Sequence, residues 1–575
     1  MTKQLAGHLL VECLVAQGVT HAFGVPGESY LAVLDGFHAY KDDIEFVINR
    51  QEGGAAFMAE AAGKLTGRPG VCFVTRGPGA TNASIGVHTA FQDSTPMVLF
   101  VGDVASDTRD REAFQEVNYL SFFGPSTGGM AKRVERIDDA KRIPEYVARA
   151  FATAMNGRPG PVVIVLPEDM LTLMVDAEPL PKVIPVEACI STESSNLLRE
   201  MLLKAERPFV IAGGSGWTPK SAQALQRFAE DWLLPVGNAF RFQDTFDNFH
   251  PLYAGDVGIG VNPRLAERIK QSDLIIAIGP RLGEMTTGGY TLLKAPKATQ
   301  KLVHIHASAE ELGRVYQADL AILASMSTAA HTLEQLTAPP SLPWQAWVKG
   351  ANKDYLANID PANNGLKLPG TIDMPAIIAT LQKHLPADAV LTNGAGNFAS
   401  WLHRFYQYHG LAKGFKTQLA PTNGAMGYGV PAGIAANILS KNTTTGQRVA
   451  FTIAGDGDFM MNGQELATAA QIGAKSIVLV LNNGMFGTIR MHQEREYPQN
   501  VSGTKLANPD FVGLARAYGY AGVCITHTEQ FEAELIAALA RPQGTLIEVT
   551  LNPEVISTRG SLSQITQNAL KQAAI

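Results

Sequence analysis

The feature that most constrains this chain is a recurrence of short runs, apolar on both faces and rich in β-branched residues. VCFVT (71–75), PMVLFVG (96–102), PVVIVLP (161–167), PFVIAGG (208–214), LIIAIG (274–279), KLVHIH (301–306), AVLTNG (389–394), VAFTIAGDG (449–457), SIVLVLNN (476–483) and GTLIEVTL (544–551) are all of this kind. A strand apolar on both faces has to be covered on both. Amphipathic segments between the runs, such as EGGAAFMAEAAGKLTG (52–67) and NGQELATAAQIGA (462–474), supply that cover. Such alternation predicts an α/β fold built from doubly wound parallel sheets.

With 575 residues, the chain exceeds what one hydrophobic core supports, and a prior of roughly three or four domains follows. Two Pro-rich stretches interrupt the rhythm, 177–190 (AEPLPKVIPVEACI) and 337–370 (TAPPSLPWQAWVKGANKDYLANIDPANNGLKLPG). Read as linkers, they leave three tandem domains at 1–176, 191–336 and 371–575. Hydrophobic residues at 46% against 17% charged exclude a chain that is mainly disordered. The charge of −6, with no Lys/Arg run beyond two residues, gives no footprint for nucleic acid. Cys13, Cys72, Cys189 and Cys524 lie far apart without any CxxC, which suits free thiols in a reducing compartment. The first residues lack a signal-cleavage pattern, and no apolar run reaches membrane-spanning length. A soluble cytoplasmic protein with no membrane partner is expected.

One pair of strand ends carries chemistry. The run VAFTIA closes on Gly455-Asp456-Gly457, a helix is expected over Gln464 to Ile472, and the next run closes on Asn482-Asn483. The 24 residues between Gly457 and Asn482 suffice for one βαβ unit. Parallel pairing then brings an aspartate and an asparagine to the same carboxyl edge, where α/β folds bind ligands. A carboxylate and an amide oxygen there can share a hard divalent ion, completed by backbone oxygen, water and phosphate. Glycines on either side allow backbone N–H groups to approach a diphosphate closely.

This GDG…NN segment resembles the cofactor signature of the thiamine diphosphate enzymes, in particular the acetolactate synthase, pyruvate oxidase and 2-keto acid decarboxylase group. FGVPGESYLAVLD (23–35), NRQEGGAAFMAEAAGKLTG (49–67), TRGPGATNASIGVHTAFQDSTP (75–96) and AFQE (113–116) are similar to the acetolactate synthase N-terminal domain. TNGAMGYGVPAGIAA (422–436) is similar to the entry of its third domain. The resemblance implies pyrimidine-binding, central and diphosphate-binding domains, with thiamine diphosphate and Mg²⁺ as cofactors. It implies a metal held by Asp456, Asn483 and the carbonyl of Met485, within a cofactor site that includes Gly455, Gly457, Asp458 and Phe486. Asn397 and Phe398, in GAGNFAS, fall where the family contacts the diphosphate. Met426, in GAMG, would wedge between the cofactor's rings, and the carbonyl of Gly424 would accept from its amino group.

Glu52 is implied as the carboxyl that exchanges a proton with the aminopyrimidine. Its position after FVINR and before an apolar Gly/Ala-rich helix suits a sheltered carboxyl that changes protonation. Phe114 and Gln115, with Lys132 downstream, resemble the substrate entrance of acetolactate synthases, where a lysine could steer a 2-keto acid carboxylate.

Departures from the family set the choice of reaction. Those synthases carry a tryptophan where this chain has His492, and a small residue where it has Glu28. Either side chain could move a proton. GGSGW (213–217) and GPRLGEMTTGGY (279–290) leave room for FAD in the central domain, while HIH (304–306) argues against it. Pyruvate decarboxylases carry an adjacent histidine pair where His8, His21, His38 and His88 stand singly, and a glutamate where this chain has Ile489. The leading expectation is therefore decarboxylation of a 2-keto acid followed by ligation to a carbonyl acceptor. A non-ligating decarboxylase, a flavin-dependent oxidase and a silent scaffold are the alternatives. The family further implies a homodimer or homotetramer with active sites at the subunit interface.

Overall fold

Burial on both faces makes the apolar runs into strands. Met97–Asp103 and Pro161–Pro167 are buried at every position, and the other runs, buried at most of theirs, form strands of three six-stranded parallel sheets. The computed structural model describes residues 3–124, 129–363, 368–439 and 448–573. Two compact units emerge, one of Met1–Val186, Pro421–Gln447 and Met460–Lys475, the other of Glu187–Ala420, Arg448–Phe459 and Ser476–Ile575. No helix among the described residues is long and apolar enough to cross a membrane.

The first unit holds a six-stranded sheet, ordered Glu45–Ile48, His21–Gly24, Gly70–Thr75, Met97–Asp103, Pro161–Pro167 and Arg133–Arg136, beside a two-stranded antiparallel pair of Gln4–Leu5 and Met174–Val175. All neighbours in the six-stranded sheet pair in parallel, so the carboxyl ends share one edge. Phe73 and Phe100 stack across adjacent strands at 4.7 Å, packing that adds to the burial of two large rings. Helix Glu52–Thr66 starts where the Gln51 side chain accepts from the Gly54 N–H at 3.1 Å, and stops at Gly67 with φ 66°, a left-handed turn that favours glycine.

The second unit holds two sheets. One runs Tyr253–Val257, Val236–Ala239, Pro208–Ala212, Leu274–Ile278, Lys301–His306, Leu320–Leu323; the other runs Gln418–Leu419, Val390–Asn393, Ala450–Gly455, Ile477–Asn482, Thr545–Thr550, Ala521–Ile525. Asp244 joins them: its Oδ2 accepts from the N–H groups of Thr417 (2.8 Å) and Gln418 (2.9 Å).

The stretch 177–190 carries no regular element. The stretch 337–370 differs from the linker expected there. It contains helix Gln345–Ile359, whose Val348, Ala351 and Tyr355 are buried. Trp344 just before it donates to the carbonyl of Leu233 at 2.9 Å. Prolines at its start hid an apolar stripe at helical spacing. Residues 364–367 lie outside the described ones.

Candidate active site

Strand Ala450–Gly455 pairs in parallel with Ile477–Asn482, Gly455 opposite Leu481, so Asp456 and the Asn482-Asn483 pair leave the sheet at one edge. Helix Asp456–Asn462 begins at once, ahead of the helix expected over Gln464–Ile472, which forms as a short turn Gly463–Glu465 and helix Leu466–Ile472. Asp456 is 3% exposed. Its Oδ1 accepts from Gly457 N–H at 2.9 Å, and its Oδ2 from Gly484 N–H at 2.9 Å and Asn508 Nδ2 at 2.7 Å. Burial pushes its carboxyl above the usual range, and the Asn508 amide and backbone donors pull it back.

The two asparagines have different duties. Asn482 donates to Glu548 at 2.7 Å and accepts from Asn508 at 2.8 Å, so it is committed to the scaffold. Asn483 Oδ1 accepts from Met485 N–H at a long 3.3 Å and retains a lone pair. Among the described residues no three His, Cys, Asp or Glu side chains converge as a cation site. A divalent ion at this edge would therefore rest on Asp456, the Asn483 amide and a backbone oxygen, an all-oxygen set that fits Mg²⁺.

The glycines of GDG serve a contact not foreseen from sequence. A Cβ on Gly455 would lie 2.8 Å from the ring of Phe398, and one on Gly457 2.6 Å from the ring of Phe486. The space they leave is thus taken by two phenyl rings. Asp458, 3% exposed, turns to the Ala395 N–H at 3.1 Å and so pins the loop that carries Asn397 and Phe398. Asn397 N–H donates to Thr488 Oγ1 at 2.8 Å. His492 sits exposed on helix Gly487–Glu496 beside Arg495, with which it makes a short contact. Burial first and the Arg495 charge second hold its pKa below the usual histidine value. Asp456, Asp458, Asn483, Asn397, Phe398, Phe486 and His492 all belong to the second unit.

The first unit contributes the other set. Glu52, half-buried, stands in the first turn of its helix. Asn82 Nδ2 donates to its Oε2 at 2.9 Å. A Cβ on Gly79 would come within 3.4 Å of its Oε1, so the carboxyl also lies beside the start of helix Gly77–Asp93, a favourable place for negative charge. Glu28 is exposed on a turn after His21–Gly24. Phe114, 74% exposed, and Gln115 follow Met97–Asp103, and the Gln115 carbonyl accepts from Gly77 N–H at 2.8 Å. Glu28, Glu52, Phe114 and Gln115 therefore all follow carboxyl ends of strands in one parallel sheet.

Lys132 does not join them, a correction to the expected substrate lysine. It precedes strand Arg133–Arg136, at the amino edge of the sheet, and its ammonium donates to the carbonyls of Thr153 (2.6 Å) and Asn156 (2.7 Å) at the end of helix Ile143–Met155. A cation there answers the helix's own terminal carbonyls.

Gly424 takes φ 71° with open space where a Cβ would stand, and Met426 beside it is half-buried. Their loop is held by side chains that sequence reading passed over. Asp93 accepts from Thr422 N–H at 2.8 Å, and Asn462 Nδ2 donates to the Gly427 carbonyl at 3.1 Å. Lys64 bridges Asp93 and Glu60, and Tyr428 donates to Glu60 at 2.6 Å. Nothing in the spacing of these residues, or of Asn508 and Asn82, distinguishes them from ordinary polar positions.

Three family models match the chain in order: the thiamine pyrophosphate enzyme N-terminal TPP binding domain over residues 5–122, the central domain over 196–336 and the C-terminal TPP binding domain over 394–549. Among curated proteins, the chain is 30% identical to the acetolactate synthase isozyme 2 large subunit of Escherichia coli (strain K12) over 94% of its length and 95% of that protein. It is 31% identical to the acetolactate synthase large subunit of Parasynechococcus marenigrum (strain WH8102), over 94% of the chain and 86% of the relative. The corresponding figures for Lactococcus lactis subsp. lactis (strain IL1403) are 30%, 95% and 92%. With near full-length similarity and all three domain models in sequence, the chain belongs to the thiamine pyrophosphate enzyme family and is acetolactate synthase-like.

Proposed function

We propose that the chain is a thiamine diphosphate- and Mg²⁺-dependent carboligase that decarboxylates a 2-keto acid and joins the remaining fragment to a carbonyl acceptor. The observation that carries this is the pair of strand ends at which Asp456 and Asn483 leave one edge of a parallel sheet, in a chain similar along 94% of its length to an acetolactate synthase. The cofactor, when bound, supplies the carbanion chemistry and electron sink that the protein's side chains lack. Asp456, Asn483 and the Met485 carbonyl would hold the metal, and Gly455, Gly457, Asp458, Asn397, Phe398 and Phe486 would shape the diphosphate end. Met426 and Gly424 would support the rings.

Glu52 would exchange a proton with the heterocycle, a role that suits a carboxyl held by the Asn82 amide at the start of a helix. Glu28 and His492 are the side chains assigned to proton movement at the substrate. A His492 pKa below the usual value keeps the ring neutral near pH 7, able to accept a proton. Phe114 and Gln115 line the substrate entrance.

Each unit carries only part of this constellation. Our reading is that Glu52 of one subunit serves the cofactor held by Asp456 and Asn483 of a second, in a homodimer or homotetramer. The three domains would be 1–176, 191–336 extended by helix Gln345–Ile359, and 371–575. Four free thiols suit a cytoplasmic setting.

The alternatives are not favoured. The relatives above are all named acetolactate synthases, which argues against a non-ligating decarboxylase or a flavin-dependent oxidase. FAD is not part of the proposal, since HIH (304–306) departs from the family's flavin-contact pattern. Incubation with thiamine diphosphate, Mg²⁺ and a panel of keto acids and aldehydes, with products read by mass, tests the proposal. Ligated products with CO₂ release are expected; their absence with every donor overturns it.

A further inference from the structure

The first-turn N–H groups of a helix, and those of the chain leading into it, have no partner within the helix itself. For the helix that opens with Glu52, a single buried carboxylate meets much of this need. Glu465, 0% exposed, accepts at Oε1 from the N–H groups of Arg50 (3.1 Å) and Gln51 (3.0 Å). At Oε2 it accepts from Asn49 Nδ2 (3.0 Å) and Thr468 Oγ1 (2.7 Å). A carboxylate offers about four acceptor sites, so Glu465 is fully committed and has none to spare for a substrate or cofactor.

Two independent features show how closely this contact is built. A Cβ on Gly54 would lie 2.6 Å from Glu465 Oε1, so only glycine fits opposite the carboxylate. The contact also continues along one face of the following helix. The Thr468 hydroxyl stands 3.3 Å from the Ile48 carbonyl, and Gln471 Oε1 accepts from Arg50 Nη2 at 2.6 Å. Positions 465, 468 and 471 recur at three-residue spacing, as one helical face requires. Segment 48–51 is therefore gripped at three successive points just before Glu52.

We propose that Glu465 is a positioning residue for Glu52. It fixes the backbone of Arg50 and Gln51, and with it the direction in which the first turn presents the Glu52 carboxyl, while leaving that carboxyl free to exchange its proton. This inference rests on the assignment of Glu52 made under the proposed function. Glu465 also lies nine residues after Asp456 in the same strand-to-strand connection, so one stretch of chain carries both the cation-binding aspartate and the clamp on the proton-exchanging carboxyl.

The test is amide hydrogen exchange on the full chain without cofactor, followed by steady-state kinetics with thiamine diphosphate and Mg²⁺. In Glu465→Gln, one amide oxygen replaces two carboxylate oxygens, and exchange at Arg50 and Gln51 should quicken about tenfold, as loss of a buried hydrogen bond implies. Turnover should fall about 10–100-fold, the cost of a misplaced catalytic group, with KM for the keto acid nearly unchanged. Glu465→Asp should recover part of both. Thr468→Val keeps the shape and removes one donor, and should quicken the same amides by a smaller factor. It decides the matter if Glu465→Gln does not fold. Unchanged exchange at residues 50 and 51, or turnover equal to that of the parent chain, overturns the proposal. Full turnover in Glu52→Gln would instead sink the assignment of Glu52, and the exchange data would stand apart from it.

Discussion

The two carboxyls at the centre of this reading are held in opposite ways. Asp456 is immobilised through its own oxygens, which accept from two backbone N–H groups and the Asn508 amide. Glu52 is immobilised through its backbone, by the bonds from Arg50 and Gln51 to Glu465, while its carboxyl accepts from Asn82. A group that must grip a cation benefits from a fixed oxygen; a group that must give and take a proton needs a fixed origin and a free end. Strand position alone does not distinguish them, since both follow the carboxyl end of a parallel strand.

The largest effect should come from breaking the grip. Asp456→Ala removes the proposed metal ligand and should weaken thiamine diphosphate retention by more than the roughly 10–100-fold that outer partners of a metal site cost, read by calorimetry. Glu52→Gln should leave that uptake intact and reduce turnover by about 10²–10⁴-fold, the usual contribution of a positioned acid or base. Equal loss of cofactor affinity in both variants would erase the distinction between them. Asn508→Ala, which only orients Asp456 and Asn482, should cost about tenfold in cofactor affinity.

A third strand-end carboxyl sharpens the comparison. Asp256, in Tyr253–Val257, has a buried Oδ1 with no hydrogen-bond partner, and burial pushes its pKa up to about 8 against the pull of Arg241. Its folded value lies above that of the unfolded chain, so the folded form holds the proton more tightly. The stability this contributes is complete below about pH 4 and is lost as pH rises through about 8. Melting temperature should fall across that window, and Asp256→Asn should flatten the fall without affecting cofactor uptake. The smallest effect concerns thiols. Exposed Cys189 and Cys524 should react with a thiol reagent in the native chain, whereas buried Cys13, with its pKa pushed up to about 12, and Cys72 should react only on unfolding.

Much of the architecture could be read from sequence because a strand buried on both faces has little choice of residue. The exceptions have physical causes. Arg133–Arg136 (RVER) and Leu320–Leu323 are edge strands, one side of which faces no neighbour, so they lack a two-sided apolar run. Helix Gln345–Ile359 was concealed by the prolines that precede it. Residues with distinctive local company, Asp456 between glycines and Asn483 after a strand, stood out at once. Lys132 misled because its spacing from AFQE says nothing about which edge of the sheet it reaches. Glu465 and Asn508 were silent for a different reason: their partners lie far away in sequence, and only folding brings Arg50 to the one and Asp456 to the other.

The most direct measurement is calorimetric titration of the parent chain and of Asp456→Ala with thiamine diphosphate in the presence of Mg²⁺. Saturable uptake by the parent chain and none by the variant is the outcome the two-strand grip requires. No uptake by the parent, or equal uptake by both, would contradict it.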